Sequence, residues 1–293
     1  MLSGILAGLA AGALWGLVFV APRMVDSFSG IDLTAGRFLV YGMVSAAVLV
    51  ISWRRARKPT WSQAWAALWL SVLGFTGYYW VLVMSIRDAG TEMPALIVGT
   101  IPLWVMLLGK PHGLLWRRLL PGLVLTAAGI ALMAQVPASD QASHYLRGLA
   151  FALLAMVSWT AFALCNAAWL RRHPEVSATD WANWLGVATG FGGLILMLAL
   201  GTPLPQLVTH PEWPRLAFIA LAIGFGSSWL ATILWNMASQ RLAASLCGQL
   251  IVSETLFALL YSFLWDGRWP SMVQWAATLL FTAGILASIK AHR

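Results

Sequence analysis

The sequence predicts an all-α integral membrane protein with ten transmembrane helices, arranged as two inverted five-helix repeats around a central cavity. Three observations carry that expectation. Of 293 residues, 60% are hydrophobic and only 10% charged, against about 25% charged in ordinary soluble domains, and the mean hydropathy is +0.79. Apolar runs of about 20 residues, the length that crosses a bilayer as a helix, recur along the whole chain between short polar breaks. The basic residues collect in alternate breaks, as they do on the cytoplasmic side of membrane proteins. Barrel strands are excluded, because they would alternate polar and apolar residues in segments of about ten.

Segment one (3–22) follows a leader, MLSG, with no positive charge, and its apolar run exceeds the usual 7–15 residues of a signal peptide, so it counts as a true span. Segment two (33–52) opens on "GRFLVYG" (36–42), and segment three (63–86) contains "GFTGYYWVLVMS" (74–85). Segment four (91–109) contains "VGTIPLWVM" (98–106), and segment five (117–136) ends in "LTAAGIAL" (125–132). Segments six to ten follow at 146–170, 180–200, 214–239, 242–264 and 270–290. Of the 18 basic residues, 12 lie in the breaks after segments two, four, six and eight or in the tail: Arg54, Arg55, Arg57, Lys58, Lys110, Arg117, Arg118, Arg171, Arg172, Arg241, Lys290 and Arg293. The opposite side has five, together with seven of the ten acids (Asp26, Asp32, Asp88, Glu92, Asp140, Glu212, Asp266). Both termini are therefore expected in the cytoplasm. The pI near 10 has a topological cause, and no nucleic-acid role is expected. Cys165 and Cys247 lie in different helices and form no metal or disulfide motif.

The chain repeats itself. "LTAAGIAL" returns as "LFTAGILA" (280–287), and "LAGLAAGALW" (6–15) resembles "LRGLAFALLAMVSW" (146–159) after a four-residue slip. Residues 1–138 and 139–293 would then each contain five spans. Five is odd, so the second half starts on the opposite face of the membrane, the inverted arrangement of many secondary transporters.

With "LWGLVFV" (14–20), "GRFLVYG" and the "TAAGIAL"/"FTAGILA" pair, the chain resembles the ten-span, EamA-like transporters of the drug/metabolite transporter superfamily. Its many tryptophans and "LWNMASQRLAAS" (234–245) are most similar to the bacterial aromatic amino-acid exporters. The resemblance implies a basket of helices in the bacterial inner membrane, alternating access, and efflux of small metabolites. It implies no cofactor and no enzymatic activity, and a monomer or weak oligomer.

Glu254 is the most informative residue. It lies about twelve residues into segment nine, hence near the bilayer midplane at about 1.5 Å per residue, where a charge costs at least about 2.5–3.5 kcal/mol. Ser245, Gln249 and Ser253, four apart, form a polar stripe beside it. Glu254 either lines a pathway, binding a substrate ammonium or exchanging a proton, or it links segment nine to a neighbouring helix. Ser228, Thr232 and Asn236 make a second stripe in segment eight, and Asn166 shares a face with Trp159 in segment six. Each Asn is a substrate contact or interhelical glue, the latter worth about 0.6 kcal/mol on average. Tyr78 and Tyr79 point about 100° apart, so one of them can face the bundle. Pro102 frees the carbonyl four residues earlier and lies between Thr100 and Trp104, a candidate cavity wall. Trp15 and Trp159 fall at matching places in the two halves and are the preferred aromatic pair. Tryptophans near segment ends, among them Trp169, Trp181 and Trp184, are expected as interfacial anchors, and Arg37 is expected to snorkel to the headgroups.

Together these residues suggest an exporter of amino acids, aromatic or other apolar ones. Glu254 or backbone carbonyls would take the ammonium, and Asn, Gln, Tyr or Trp donors the carboxylate. Efflux of aromatic cations on the same fold and proton-coupled antiport through Glu254 are the alternatives. An intramembrane enzyme would need HExxH, paired aspartates or a serine with a histidine base, and the sequence contains none.

Overall fold

The computed structural model describes residues 1–52, 58–89, 92–133, 145–267, 269 and 271–292. Trp53, Arg54, Arg55, Arg57, Asp140, Arg268 and Arg293, the end of segment five and the expected boundary at 138–139 lie outside the described residues. All regular structure among the described residues is helical. Segment one is α1 (Leu2–Gly16), a 3-10 turn and α2 (Ala21–Met24), and segment two is α3 (Gly30–Ile51). Segment three is α4 (Trp61–Ser71), a π-helical stretch (Val72–Thr76) and α5 (Gly77–Ala89). Segment four is broken at Thr100 into α6 (Glu92–Gly99) and α7 (Ile101–Leu108), as a proline at 102 requires. Segments five, six and seven are α8 (Trp116–Met133), α9 (Tyr145–Arg172) and α10 (Ala178–Leu200), followed by the short α11 (Leu204–Thr209). Segment eight is α12 (Trp213–Ile223), a π-helical stretch (Gly224–Leu230) and α13 (Ala231–Arg241). Segments nine and ten are α14 (Ala244–Asp266) and α15 (Met272–Ala291). Eight of these stretches are long and apolar enough to span a bilayer, and segment four contributes a shorter apolar helix, Ile97–Leu108.

The two repeats are visible in local detail. Ser29 caps α3 by accepting from Asp32 N at 3.1 Å, and Ser177 caps α10 by accepting from Asp180 N at 3.0 Å. The π-helical stretches of segments three and eight each follow an 11-residue α-helix that begins on a tryptophan. Packing repeats as well: α1 lies against α13 and α14, while α9 lies against α5, α6 and α7. The equivalent helices α3 and α10 pair with each other, as do α8 and α15.

Lipid offers no hydrophobic reward for bringing helices together, so small residues that allow backbones to touch carry the association. On α1 the glycines recur every four residues. A Cβ at Gly8 would stand 2.7 Å from Leu250 Cδ1, and one at Gly16 would stand 2.9 Å from Ala258 N. A Cβ at Gly12 would overlap the Ser253 hydroxyl and lie 3.1 Å from Glu254 N. The stripe thus seats α1 on the turns of α14 that carry Glu254. Between α3 and α10 the contact is closer still, because a Cβ on Gly42 would stand 2.5 Å from Gly190 Cα.

Polar ties close the bundle ends. Asp32, in the first turn of α3, accepts from Thr202 N at 2.7 Å and Thr202 Oγ1 at 2.8 Å, which fixes the end of α10 to the start of α3. Arg147 grips Asp88 with Nε and Nη2 at 2.6 and 2.9 Å, a bidentate pair between segments three and six. Ser27 donates to Glu212, joining the turn after α2 to the turn before α12.

Gly42→Ala should lower the melting transition in detergent by the equivalent of about 1–3 kcal/mol. Gly113→Ala, with nothing within 4 Å of the added methyl, should leave it unchanged, and equal transitions for the two variants would remove the backbone-contact account. The hydrogen bond from Ser27, helped by Arg215 and His210, holds the Glu212 carboxyl below its ordinary value. Its contribution to stability is therefore present at neutral pH and lost as pH falls through the native pKa. Melting curves of Ser27→Ala should differ from those of the parent at neutral pH and converge with them in acid.

Candidate functional site

Glu254 lies one turn above Leu250 on α14, on the helix that the α1 glycines press against, and it is partly buried by protein. Arg37 of α3, expected to snorkel to the headgroups, is partly buried. Its Nε is buried without a hydrogen-bond partner, and its guanidinium carbon stands 4.8 Å from the centroid of the Phe38 ring. One π-helical stretch packs against Arg37 and the other ends just before Tyr78. A Cβ on Gly224, the first residue of the stretch in segment eight, would meet the Arg37 carbonyl at 2.8 Å, so segment eight rests directly on the backbone of Arg37. The stretch in segment three ends two residues before Tyr78. Insertions of this kind shift helix register and recur at functional sites. The adjacent tyrosine points elsewhere: Tyr79 donates to Gly30 O at 3.0 Å and meets Phe38 edge to face.

Three indoles form an apolar wall. Trp15 of α1 meets Trp159 of α9 edge to face at 6.3 Å and Trp235 of α13 at 5.3 Å, and Trp159 and Trp235 are 6.3 Å apart. The expected pair from the two halves is in contact, with Trp235 as a third member. Trp235 is fully buried, yet its Nε1 has no acceptor among the described residues. The same core cluster includes Leu250, Ile251 and Leu256 of α14, so the indoles and the helix of Glu254 share one interior.

A sequence profile of the EamA-like transporter family matches residues 2–135 and again residues 146–289. The chain belongs to that family. Among curated proteins it is 33% identical to the inner membrane protein YtfF of Escherichia coli (strain K12), over 99% of this chain and 96% of the relative. A crystal structure with 20% sequence identity has the same fold, with a TM-score of 0.80 over 99% of this chain and 98% of that one. This EamA-like protein is thus a membrane transporter of small substrates, built from ten helical segments in two repeats.

Other polar residues singled out in this EamA-like chain make hydrogen bonds between helices or within their own segment. Asn166 and Asn236 are both fully buried. Asn166 Nδ2 donates to Asn236 Oδ1 at 3.0 Å, Trp181 Nε1 donates to Asn166 Oδ1 at 2.6 Å, and Asn236 Nδ2 donates to Ala178 O at 3.4 Å. Gln249, also fully buried, exchanges hydrogen bonds with Thr126 of α8 and accepts from Ser288 of α15 at 3.1 Å. Ser253 donates to Leu250 O at 2.7 Å on its own helix. Thr100 donates to Ile97 O at 2.6 Å and accepts from Trp104 Nε1 at 3.2 Å. Buried Pro102 marks the kink, but Trp104 is 43% exposed on the outer surface. There it lines an apolar groove of about 360 Å³ with Leu103, Leu107 and Leu153. A larger cavity of about 410 Å³ opens beside Arg241 and His292 at the bundle end, away from Glu254.

The interfacial expectation is corrected for one group of tryptophans. Trp181 and Trp184 are buried, and Trp169 stacks on Trp181 at 3.5 Å. Trp181 satisfies its indole N–H internally through Asn166, so it has no need of headgroups. Trp61, Trp65 and Trp269 remain exposed at segment ends, as expected of anchors. Sequence reasoning missed the four-residue glycine period of α1, which was there to be read, and the burial of the Arg37 Nε, which was not.

Asn166→Ala strands the buried N–H of Trp181. It should lower stability by about 1–3 kcal/mol in thermal melts, while the apparent KM for any transported substrate stays within about twofold of the parent. A selective rise in KM at unchanged stability would instead assign Asn166 to the substrate.

Proposed function

We propose that the protein exports amino acids, aromatic or other apolar ones, across the bacterial inner membrane by alternating access. One observation carries this reading: an acid inside a membrane-spanning helix, with no hydrogen bond of its own among the described residues, in the same interior as three indoles. A carboxylate at that depth is tolerated when it faces water or a partner. The ammonium of an amino acid supplies such a partner, and indole faces accept both aromatic side chains and cations. The inverted relation of residues 1–138 and 139–293 fits a cycle in which one set of helices rocks against the other around a fixed site. The basic bias of alternate breaks supports cytoplasmic termini, which would put substrate loading on the basic side.

Aromatic-cation efflux draws on the same two features, the acid and the indoles, and is the second reading. Proton exchange would use Glu254 as the titrating group. Uniport is favoured over it because the spans contain no histidine or second acid near the midplane.

Counterflow of radiolabelled amino acids in proteoliposomes, with and without a pH gradient, separates these cases. Exchange of phenylalanine or tryptophan at equal rates in both conditions is the expected result, and a rate that follows the gradient would replace uniport with proton antiport. Absence of exchange for every amino acid would end the exporter reading. Glu254→Gln should slow amino-acid exchange about tenfold or more, the cost of one charge-assisted contact. If it abolishes efflux of aromatic cations and spares amino acids, cation efflux is the function.

A further inference from the structure

We propose that the Asp88–Arg147 pair is a one-sided latch between the two repeats, holding the transporter closed at the end that bears most of its acids while the opposite end stays open. The latch rests on the alternating-access part of the reading above and names the contact that biases the cycle.

Asp88 lies at the end of α5 and Arg147 in the first turn of α9, so the pair joins the third segment of one repeat to the first segment of the other. The two helices pack against each other. Arg147 Nε and Nη2 reach the two Asp88 carboxylate oxygens at 2.6 and 2.9 Å, a fork that fixes orientation as well as distance. One turn inward on α5, buried Ser85 donates to Gly148 O at 2.6 Å. Val81, a further turn inward on the same face, is buried too. The pair itself is accessible, its Arg147 and Asp88 side chains being 59% and 13% exposed. Water and salt compete with such a contact, so it is weak enough to break in a transport cycle. The tie of Asp32 to Thr202 is of the opposite kind, since Asp32 is buried and joins helices whose backbones touch at Gly42 and Gly190.

The repeat supplies the comparison. The equivalents of α5 and α9 are α13 and α1, which also pack against each other, but at the basic end. Both α5 and α13 follow a π-helical stretch, and Arg241 closes α13 much as Asp88 closes α5. Gly4 is the third residue of α1, as Arg147 is of α9. The correspondence holds in space, because a Cβ on Gly4 would stand 3.1 Å from Arg241 Cβ. Glycine has no side chain to answer the arginine, so these two positions cannot form an ion pair. A cavity of about 410 Å³ opens there instead, lined by Arg241, Leu242 and Leu246 with Pro111 and His292. The same junction is therefore tied at one end and open at the other. Loading from the basic end is the state that the latch favours.

Labelling of single cysteines in nanodiscs, where a charged methanethiosulfonate reaches both ends, tests the latch. Val81→Cys reports the gap behind the pair and Leu246→Cys the cavity, each in a Cys165→Ala/Cys247→Ala background. Asp88→Asn should speed labelling at position 81 by about two- to fivefold, the bias that a partly exposed ion pair can hold, and should slow it at position 246. Arg147→Gln, at the more exposed partner, should do the same, and Asp88→Arg combined with Arg147→Asp should restore both rates. An unchanged rate at position 81, a rate at position 246 that does not fall, or no recovery in the charge-swapped protein overturns the proposal. A rise at both positions together marks loosened packing and overturns it too. If Asp88→Asn does not fold, Arg147→Gln and the charge swap decide. Phenylalanine counterflow in liposomes keeps the two readings apart. Counterflow without the reciprocal labelling retains the exporter and loses the latch, and reciprocal labelling without counterflow retains the latch and loses the exporter.

Discussion

Hydrocarbon does not squeeze helices together as water does, so α1 must meet α14 by letting two backbones touch. Glycines at 4, 8, 12 and 16 make that contact possible, and most of the interior geometry follows from it. With Gly12 seated on Ser253 and Gly16 on Ala258, α1 packs directly on the turns of α14 that bracket Glu254. The same device recurs between α3 and α10 at Gly42 and Gly190, and between α8 and α15, where a Cβ on Gly284 would meet Thr126 Oγ1 at 2.9 Å. Three close pairs built on glycine leave the larger side chains to fill the space between them.

A second constraint is that polar groups in the membrane must be answered inside the protein. Most are answered by other helices. The Asn166–Asn236–Trp181 cluster and the Gln249–Thr126–Ser288 cluster each join three helical segments, with hydrogen bonds between side chains that are all deeply buried. Against that background the exceptions carry meaning. Among the described residues the unanswered buried atoms are Arg37 Nε, the indole nitrogens of Trp184 and Trp235, and the hydroxyls of Ser45, Thr160, Thr189, Thr232 and Ser239. Groups of this kind cost stability.

The two π-helical stretches connect packing to site. Each lies one α-helical run into segments three and eight, and each ends in the helix half that carries interior residues: Tyr78 in one repeat, Trp235 in the other. Gly74 in the first stretch leaves room for the Phe162 ring, and Gly224 in the second leaves room for α3 at Arg37 and Val40. An extra residue per turn changes which side chains face inward. The matched position of the stretches in the two repeats makes the site symmetrical in construction and asymmetrical in chemistry.

Ten segments, their order and their repeat were all legible in the chain, because length and hydropathy against a bilayer about 30 Å thick leave few alternatives. Glu254 was legible for the same reason, since a charge in oil stands out against its surroundings. The proline break at Thr100 and the pairing of Trp15 with Trp159 could also be read, one from a missing N–H and the other from the repeat. Which polar residues remained free could not. Asn166, Gln249 and Glu254 look alike as polar residues in apolar helices, and only the packing of distant segments supplied partners to the first two. Arg37 shows the limit most plainly. Its position near a segment end allowed an escape to the headgroups, and only the packing of segment eight against its backbone at Gly224 went with a buried Nε, because a side chain's partners are set by three-dimensional neighbours that hydropathy does not encode.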